Sequence, residues 1–177
     1  HVILALPGDS LFGVSEFRVV LERVVARYGI DVRLQHELVE IQPGQREAIL
    51  VDRSRGQEQR VTIQYDLLHV VPPQSEPDWI KQGALSDGTP AGYVEVDKHT
   101  LQHVRYPNIF ALGDAGNTPN SKTGAAIRKQ APVVVKNLLA MLDGKPLPAR
   151  YNGYASCPVV TARNRVLLAE FDYSQRP

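Results

Sequence analysis

The chain has 177 residues, 43% of them hydrophobic, with 20 basic and 19 acidic side chains and a net charge of +1. That is enough apolar material for one or two domains with real cores, and the balanced charge, with no basic stripe, excludes an electrostatic footprint for nucleic acid. No apolar run approaches the ~18 residues needed to cross a bilayer, and a single cysteine, Cys157, excludes a disulfide scaffold and a multi-thiolate zinc site.

The opening "HVILALPGD" has neither a start methionine nor a signal-peptide pattern, so it reads as the interior of a longer polypeptide. Val2 to Leu6 is a short apolar run closed by Pro7-Gly8, as expected of a buried strand and a turn. Val14, Phe17, Leu21, Val24 and Tyr28 recur at helical spacing, and Gly29 stands where that helix should end. Residues 30–34 alternate like a strand, and 38–41, 47–52 and 59–65 read as further strands separated by polar turns. The expected result is a strand–helix–strand unit followed by an antiparallel meander. "YDLLHVVPP", residues 65–73, reads as an apolar strand stopped by two prolines, with His69 a core histidine inside it. A short helical turn at 75–79, with Trp79 covering the core, and a strand at 93–96 follow.

"NIFALGD", residues 108–114, is apolar enough for a strand buried on both faces, as in a parallel sheet. A helix is expected over 123–142, with Ile127, Ala131, Val134, Leu138 and Leu142 on one side, Pro132 kinking it, and Gly144 at its end. A buried strand ending in Gly113-Asp114 before a loop and a helix is a cofactor geometry, because ligands of open α/β sheets sit beyond the carboxyl ends of the strands. Gly113 lets the backbone approach a ligand closely, and Asp114 offers a carboxylate to sugar-like hydroxyls. The helix start near Lys122-Thr123-Gly124 favours an anion, such as the negatively charged edge of a reduced flavin. The bland alternative is that Gly-Asp merely ends a strand.

Cys157 lies in "NGYASCPVVT", where Ser156 and Pro158 suggest a turn. On residues alone it is either a small buried hydrophobe or a reactive thiol, and reactivity requires thiolate character. His36, His69, His99 and His103 show no ligand spacing with carboxylates or with Cys157, so no metal site is expected.

Four segments together, "PNSKTGAAIRKQAP", "YNGYASCPVVT", "NRVLLAEFDY" and "YDLLHVVPP", resemble sulfide:quinone oxidoreductases, FAD enzymes with two dinucleotide domains. The resemblance runs over nearly the whole chain. It implies an α/β, partial Rossmann-like FAD/NAD(P)-binding fold, the C-terminal half of such a flavoprotein. Residues 1–66 would be the later part of the second dinucleotide-like domain, 67–150 the C-terminal part of the FAD domain, and 151–177 the start of the C-terminal segment. It further implies that Asp114, next to the cofactor-binding Gly113, holds the flavin ribityl chain, and that Lys122, Thr123, Gly124 and Ala125 form the flavin-facing helix start. Cys157 would be the C-terminal member of a redox cysteine pair whose partner lies outside this chain. Sulfide and a quinone are the implied partners, with membrane contact through segments not present here. The chain alone is expected to be inactive and to bind FAD weakly or not at all, because the Gly-x-Gly-x-x-Gly turn that grips the pyrophosphate is missing from it.

The rivals are a type II NADH:quinone oxidoreductase, a flavocytochrome-type sulfide dehydrogenase and a non-catalytic interaction module. A sheet that has lost strands exposes edges that pair with other chains. The chain in isolation is therefore predicted to self-associate, and light scattering that finds only monomer at high concentration would refute this.

Overall fold

A computed structural model describes residues 1–176. The chain divides into two compact units, one from His1 to Val71 and one from Pro72 onward. In the first unit, β1 (Ile3–Leu6), α1 (Ser15–Tyr28) and β2 (Asp31–Leu34) form a strand–helix–strand motif, with β1 and β2 paired in parallel from Ile3–Asp31 to Leu6–Leu34. α1 ends where Gly29 takes a left-handed conformation and its N–H reaches the carbonyl of Ala26, the usual glycine cap. The antiparallel meander follows as β3 (His36–Gln42), β4 (Glu47–Asp52) and β5 (Gln59–Gln64), in the order β3-β4-β5. β4 is central, and Ala48, Ile49 and Leu50 are buried in succession on both of its faces.

The expected strand over 65–73 does not form. Tyr65 still donates to the carbonyl of Arg46, but the segment pairs with no strand among the described residues. Leu67 and Val71 are 90% and 82% exposed, and His69 is exposed as well. An apolar run becomes a strand only when neighbours take its N–H and C=O groups, and here none is in place.

The second unit begins with α2 (Asp78–Lys81), where Ile80 rather than Trp79 enters the core and Trp79 is 72% exposed. The expected strands at 93–96 and 108–114 are reduced to isolated bridges: Val94 with Ser86 and Gly116, Val96 with His103, and Gln102 with Phe110. Residues 113–115 form a single 3-10 turn instead of a strand end. The reason is again pairing: these segments hydrogen-bond to one another at single points and never build a ladder. Ile80, Val94 and Val96 make one small core, with Leu85 and Ala111 against it.

α3 (Gly124–Leu142) is the long helix, running on through Pro132. Its buried face is not the apolar stripe read from the sequence. Ala126, Gln130, Val133, Asn137 and Ala140 face inward, whereas Leu138 is partly exposed and Leu142 is 70% exposed. Two polar side chains take interior positions because backbone groups there need them. Asn137, fully buried, donates to the carbonyls of Thr100 and Ala149, each at 3.0 Å, and accepts from the N–H of Ala149 at 2.9 Å. Leu101, Val133 and Tyr151 form the second core around it.

The chain ends in a hairpin of β6 (Ala155–Ala162) and β7 (Arg165–Phe171), paired from Ala155–Phe171 to Ala162–Arg165 with one irregularity after Val160. Cys157 therefore lies within a strand opposite Ala169, not in a turn. Pro158 is tolerated because β6 has an open edge. Just before β6, Gly153 has φ of 90°, and a Cβ there would fall 2.2 Å from the Tyr173 ring. Only glycine lets that tyrosine cover the start of the hairpin.

The three bonds of Asn137 make a clear test. Asn137→Leu keeps the size of the side chain but strands two buried carbonyls and one N–H. The expected loss is about 3 kcal/mol, read as a lower denaturant midpoint at unchanged slope.

Candidate functional site

The residues singled out by the sequence gather around the start of α3, in the second unit. Gly113 is buried with φ of 65°, and a Cβ on it would come within 3.1 Å of the Ile127 side chain. Any other residue there would be strained by backbone and by contact. The next residue, Asp114, is exposed at the tip of the 3-10 turn. Thr123 caps α3: its hydroxyl accepts from the N–H of Ala126 at 3.2 Å, and its carbonyl accepts from Ile127. That cap leaves the N–H groups of Gly124 and Ala125 as the outward donors of the helix end. Gly124 is exposed, with nothing within 4 Å of where a Cβ would stand, so the approach to those donors is open.

Lys122 does not point its charge along the helix axis. Its ammonium donates to the carbonyl of Gly116 and lies 4.1 Å from the centre of the Tyr93 ring. Burial lowers its pKa, and the carboxylates of Asp114, Glu76 and Asp87 oppose that shift. The cation that would otherwise oppose the helix dipole is thus satisfied by the preceding loop. Beside it, Asn120 donates to the carbonyl of Ser121, while its Oδ1 is buried and lacks a hydrogen-bond partner. A buried acceptor without a donor is costly unless another molecule supplies one.

Cys157 is half-buried. Burial raises the pKa of its thiol, and a hydrogen bond with Ser121 acts in the opposite direction. Through Ser121 the thiol is brought against the loop that leads into α3, next to Lys122 and Thr123. The sequence reading missed Ser121, and also Tyr93, Gln130 and Tyr151. Gln130 accepts from the N–H of Gly113 at 2.7 Å, and the Tyr151 hydroxyl, which burial pushes up to about 12, donates to the carbonyl of Tyr154. The one available signal was a glutamine and an asparagine seven apart in α3.

His103 uses both ring nitrogens on backbone, accepting from the N–H groups of Arg105 and Tyr106 at Nδ1 and meeting the Leu85 carbonyl at Nε2. His99 pairs with the Tyr151 carbonyl.

Donors at a helix end, an exposed carboxylate, an orphaned acceptor and a thiol therefore converge on one loop. No family model matches the chain. The mouse mitochondrial sulfide:quinone oxidoreductase is 40% identical over all 177 residues. By sequence the chain is similar to the sulfide:quinone oxidoreductases. It spans 39% of the length of that mouse relative. Two solved structures share the fold. One is a chain in the Tetrahymena thermophila mitochondrial ATP synthase assembly, with a TM-score of 0.84 and 24% identity over 98% of this chain and 41% of that one. The other is the Aquifex aeolicus sulfide:quinone oxidoreductase, with a TM-score of 0.69 and 18% identity over 98% of this chain and 46% of that one. The fold of the chain is thus the mixed α/β fold, part of an FAD/NAD(P)-binding architecture, anticipated from the sequence.

The raised thiol pKa sets a pH dependence. A group held neutral by burial reacts as thiolate only above its ordinary titration range. Alkylation of Cys157 by iodoacetamide is expected to rise with pH through a midpoint above that of a free cysteine. Ser121→Ala, which removes the donor to the thiolate, is expected to slow alkylation roughly threefold below the midpoint. A midpoint at or below the free-cysteine value would contradict the assignment.

Proposed function

We propose that the full-length protein containing this chain is a FAD-dependent sulfide:quinone oxidoreductase, and that Cys157 is one member of its redox cysteine pair. What supports this is the 40% identity to the mouse sulfide:quinone oxidoreductase over all 177 residues, together with the place of Cys157 in β6, a strand that packs against α3. In this reading HS⁻ attacks a disulfide between Cys157 and a cysteine outside the chain. The S–S bond breaks, a new one forms to the incoming sulfur on the other cysteine, and Cys157 leaves as thiolate carrying the electron pair. Ser121 donates to that thiolate.

The site's chemistry suits FAD. Asp114 would accept from a hydroxyl of the flavin side chain, beside the sharp turn at Gly113. Gly124 and Ala125 would present their N–H groups to the anionic edge of the ring, with Thr123 fixing the helix end. Lys122 would hold the 114–116 loop in place through Gly116. When bound, FAD supplies an acceptor for the electron pair and can return it to a quinone.

A single cysteine cannot form the pair, so the chain by itself should not turn over. The name of the mouse relative places that protein in mitochondria, and we extend that location to the parent of this chain, acting peripherally at a membrane surface. No helix among the described residues is long and apolar enough to cross a membrane. The open edges of the β6-β7 hairpin offer a place for pairing with a second copy.

The test uses the full-length protein with and without Cys157→Ser. Wild type should show sulfide-dependent loss of flavin absorbance and reduce a soluble quinone. The variant should lose at least about a hundredfold of both rates. Equal rates in the two proteins would make Cys157 a bystander and end this reading.

A further inference from the structure

The hairpin that carries Cys157 is fastened at its base to a single turn, residues 97–100, and both of its legs take part. The first leg is the irregular backbone at 151–154, ahead of β6. There the N–H of Tyr151 donates to the carbonyl of His99 at 2.7 Å. His99 Nδ1 lies 3.0 Å from the carbonyl of Tyr151, which can only accept, so that nitrogen carries the proton. The second leg follows β7 and brings in Tyr173. Its hydroxyl donates to the carbonyl of Lys98 at 2.8 Å, and its N–H donates to the carbonyl of Asn152 on the first leg at 3.1 Å. The Tyr173 ring meets His99 and Tyr151 edge-on, with centroids 5.7 and 5.6 Å away.

The turn is itself held fast. One oxygen of the Asp97 carboxylate accepts from the N–H of His99 at 3.1 Å, the N–H of Thr100 at 2.7 Å and the hydroxyl of Thr100 at 3.0 Å. The carbonyl of Thr100 is bound by Asn137 of α3, the helix whose start forms the candidate site. The hairpin has only two strands and pairs with no other among the described residues, so it has little stiffness of its own. Packing of β6 against α3 chooses the face that turns inward, but apolar contact is not directional. The hydrogen bonds at the base are directional and fix where the strands start. From that base the path to the thiol is short: Phe171 pairs with Ala155, and Cys157, two residues on, pairs with Ala169.

We propose that Tyr173 is a positioning residue for the sulfide half of the reaction: by clasping the base of the β6-β7 hairpin to the 97–100 turn, it sets where the Cys157 sulfur stands. The functional meaning of this rests on the role proposed above for Cys157. The clasp itself is made of the hydrogen bonds and ring contacts of Tyr173 and holds whatever that role is. A misplacement of about 1 Å at a reacting atom costs on the order of a hundredfold in rate, so a clasp at the base of the strand is enough to matter.

The experiment separates the two half-reactions of the full-length protein. Sulfide-driven loss of flavin absorbance passes through Cys157, whereas reoxidation by a soluble quinone, after reduction with dithionite, does not. Tyr173→Phe removes the bond to Lys98 and keeps the ring. It should slow sulfide-driven reduction about tenfold and leave flavin content and reoxidation by quinone at their wild-type values, a split that general loosening of the fold would not produce. Tyr173→Leu also removes the ring contacts and should slow the same half-reaction about a hundredfold. Reduction at the wild-type rate in Tyr173→Phe, or equal slowing of both half-reactions, overturns the proposal. Should Tyr173→Leu fail to fold, Tyr173→Phe alone decides the matter. If Cys157→Ser reduces its flavin at the wild-type rate, the role of Cys157 falls, and the clasp is then read from alkylation of Cys157 by iodoacetamide in the reduced protein. Tyr173→Phe should change that rate severalfold, and an unchanged rate would end the clasp as well, so the two failures are separable.

Discussion

Two carboxamides buried on one face of α3 hold the second unit in register. Asn137 satisfies the backbone of Thr100 and Ala149, and Gln130 satisfies the backbone of Gly113. The segments they bind are loops and isolated bridges, without ladders of their own. Unpaired backbone inside a protein costs more than an ordinary hydrogen bond returns, so these side chains decide whether the loops can be interior at all. The apolar contacts of Leu101, Val133 and Tyr151 close around Asn137 and Gln130.

The same constraint shapes the candidate site. Gly113 must adopt a left-handed turn close to Ile127, and its N–H is claimed by Gln130, so Asp114 emerges at a defined point on the surface. Lys122 ties the following loop down through Gly116 and Tyr93, which frees the helix end from its own neighbouring cation. What faces outward is a set of N–H donors with an exposed carboxylate nearby. Asn120 Oδ1, buried without a partner, marks a place in the same loop where a donor from outside would be welcome.

Cys157 departs from the usual picture of an activated cysteine. Its surroundings favour the neutral thiol, with Ser121 the opposing contribution. A thiol in that state is protected from adventitious chemistry, and in the proposed reaction its thiolate arises as a leaving group and not by resting ionisation. Ser121 matters most at that moment, when charge appears on the sulfur.

Local pattern was enough to read β1, α1, β2, the β3-β4-β5 meander and the extent of α3, because periodicity, glycine caps and turn residues act within a few positions of chain. The quoted motifs were enough to carry the resemblance to the sulfide:quinone oxidoreductases, to which the chain is similar over its whole length. The sequence could not show which apolar runs would find strand partners, so 65–73, 93–96 and 108–114 read as strands and folded as exposed or singly bridged segments. Nor could it show that α3 would turn Gln130 and Asn137 inward and leave Leu142 outside, since the demand they meet comes from carbonyls and N–H groups up to 37 residues away. Cys157 looked like a turn residue until β7 paired with its strand. Pairing and polar satisfaction are long-range conditions, and only the tertiary structure settles them.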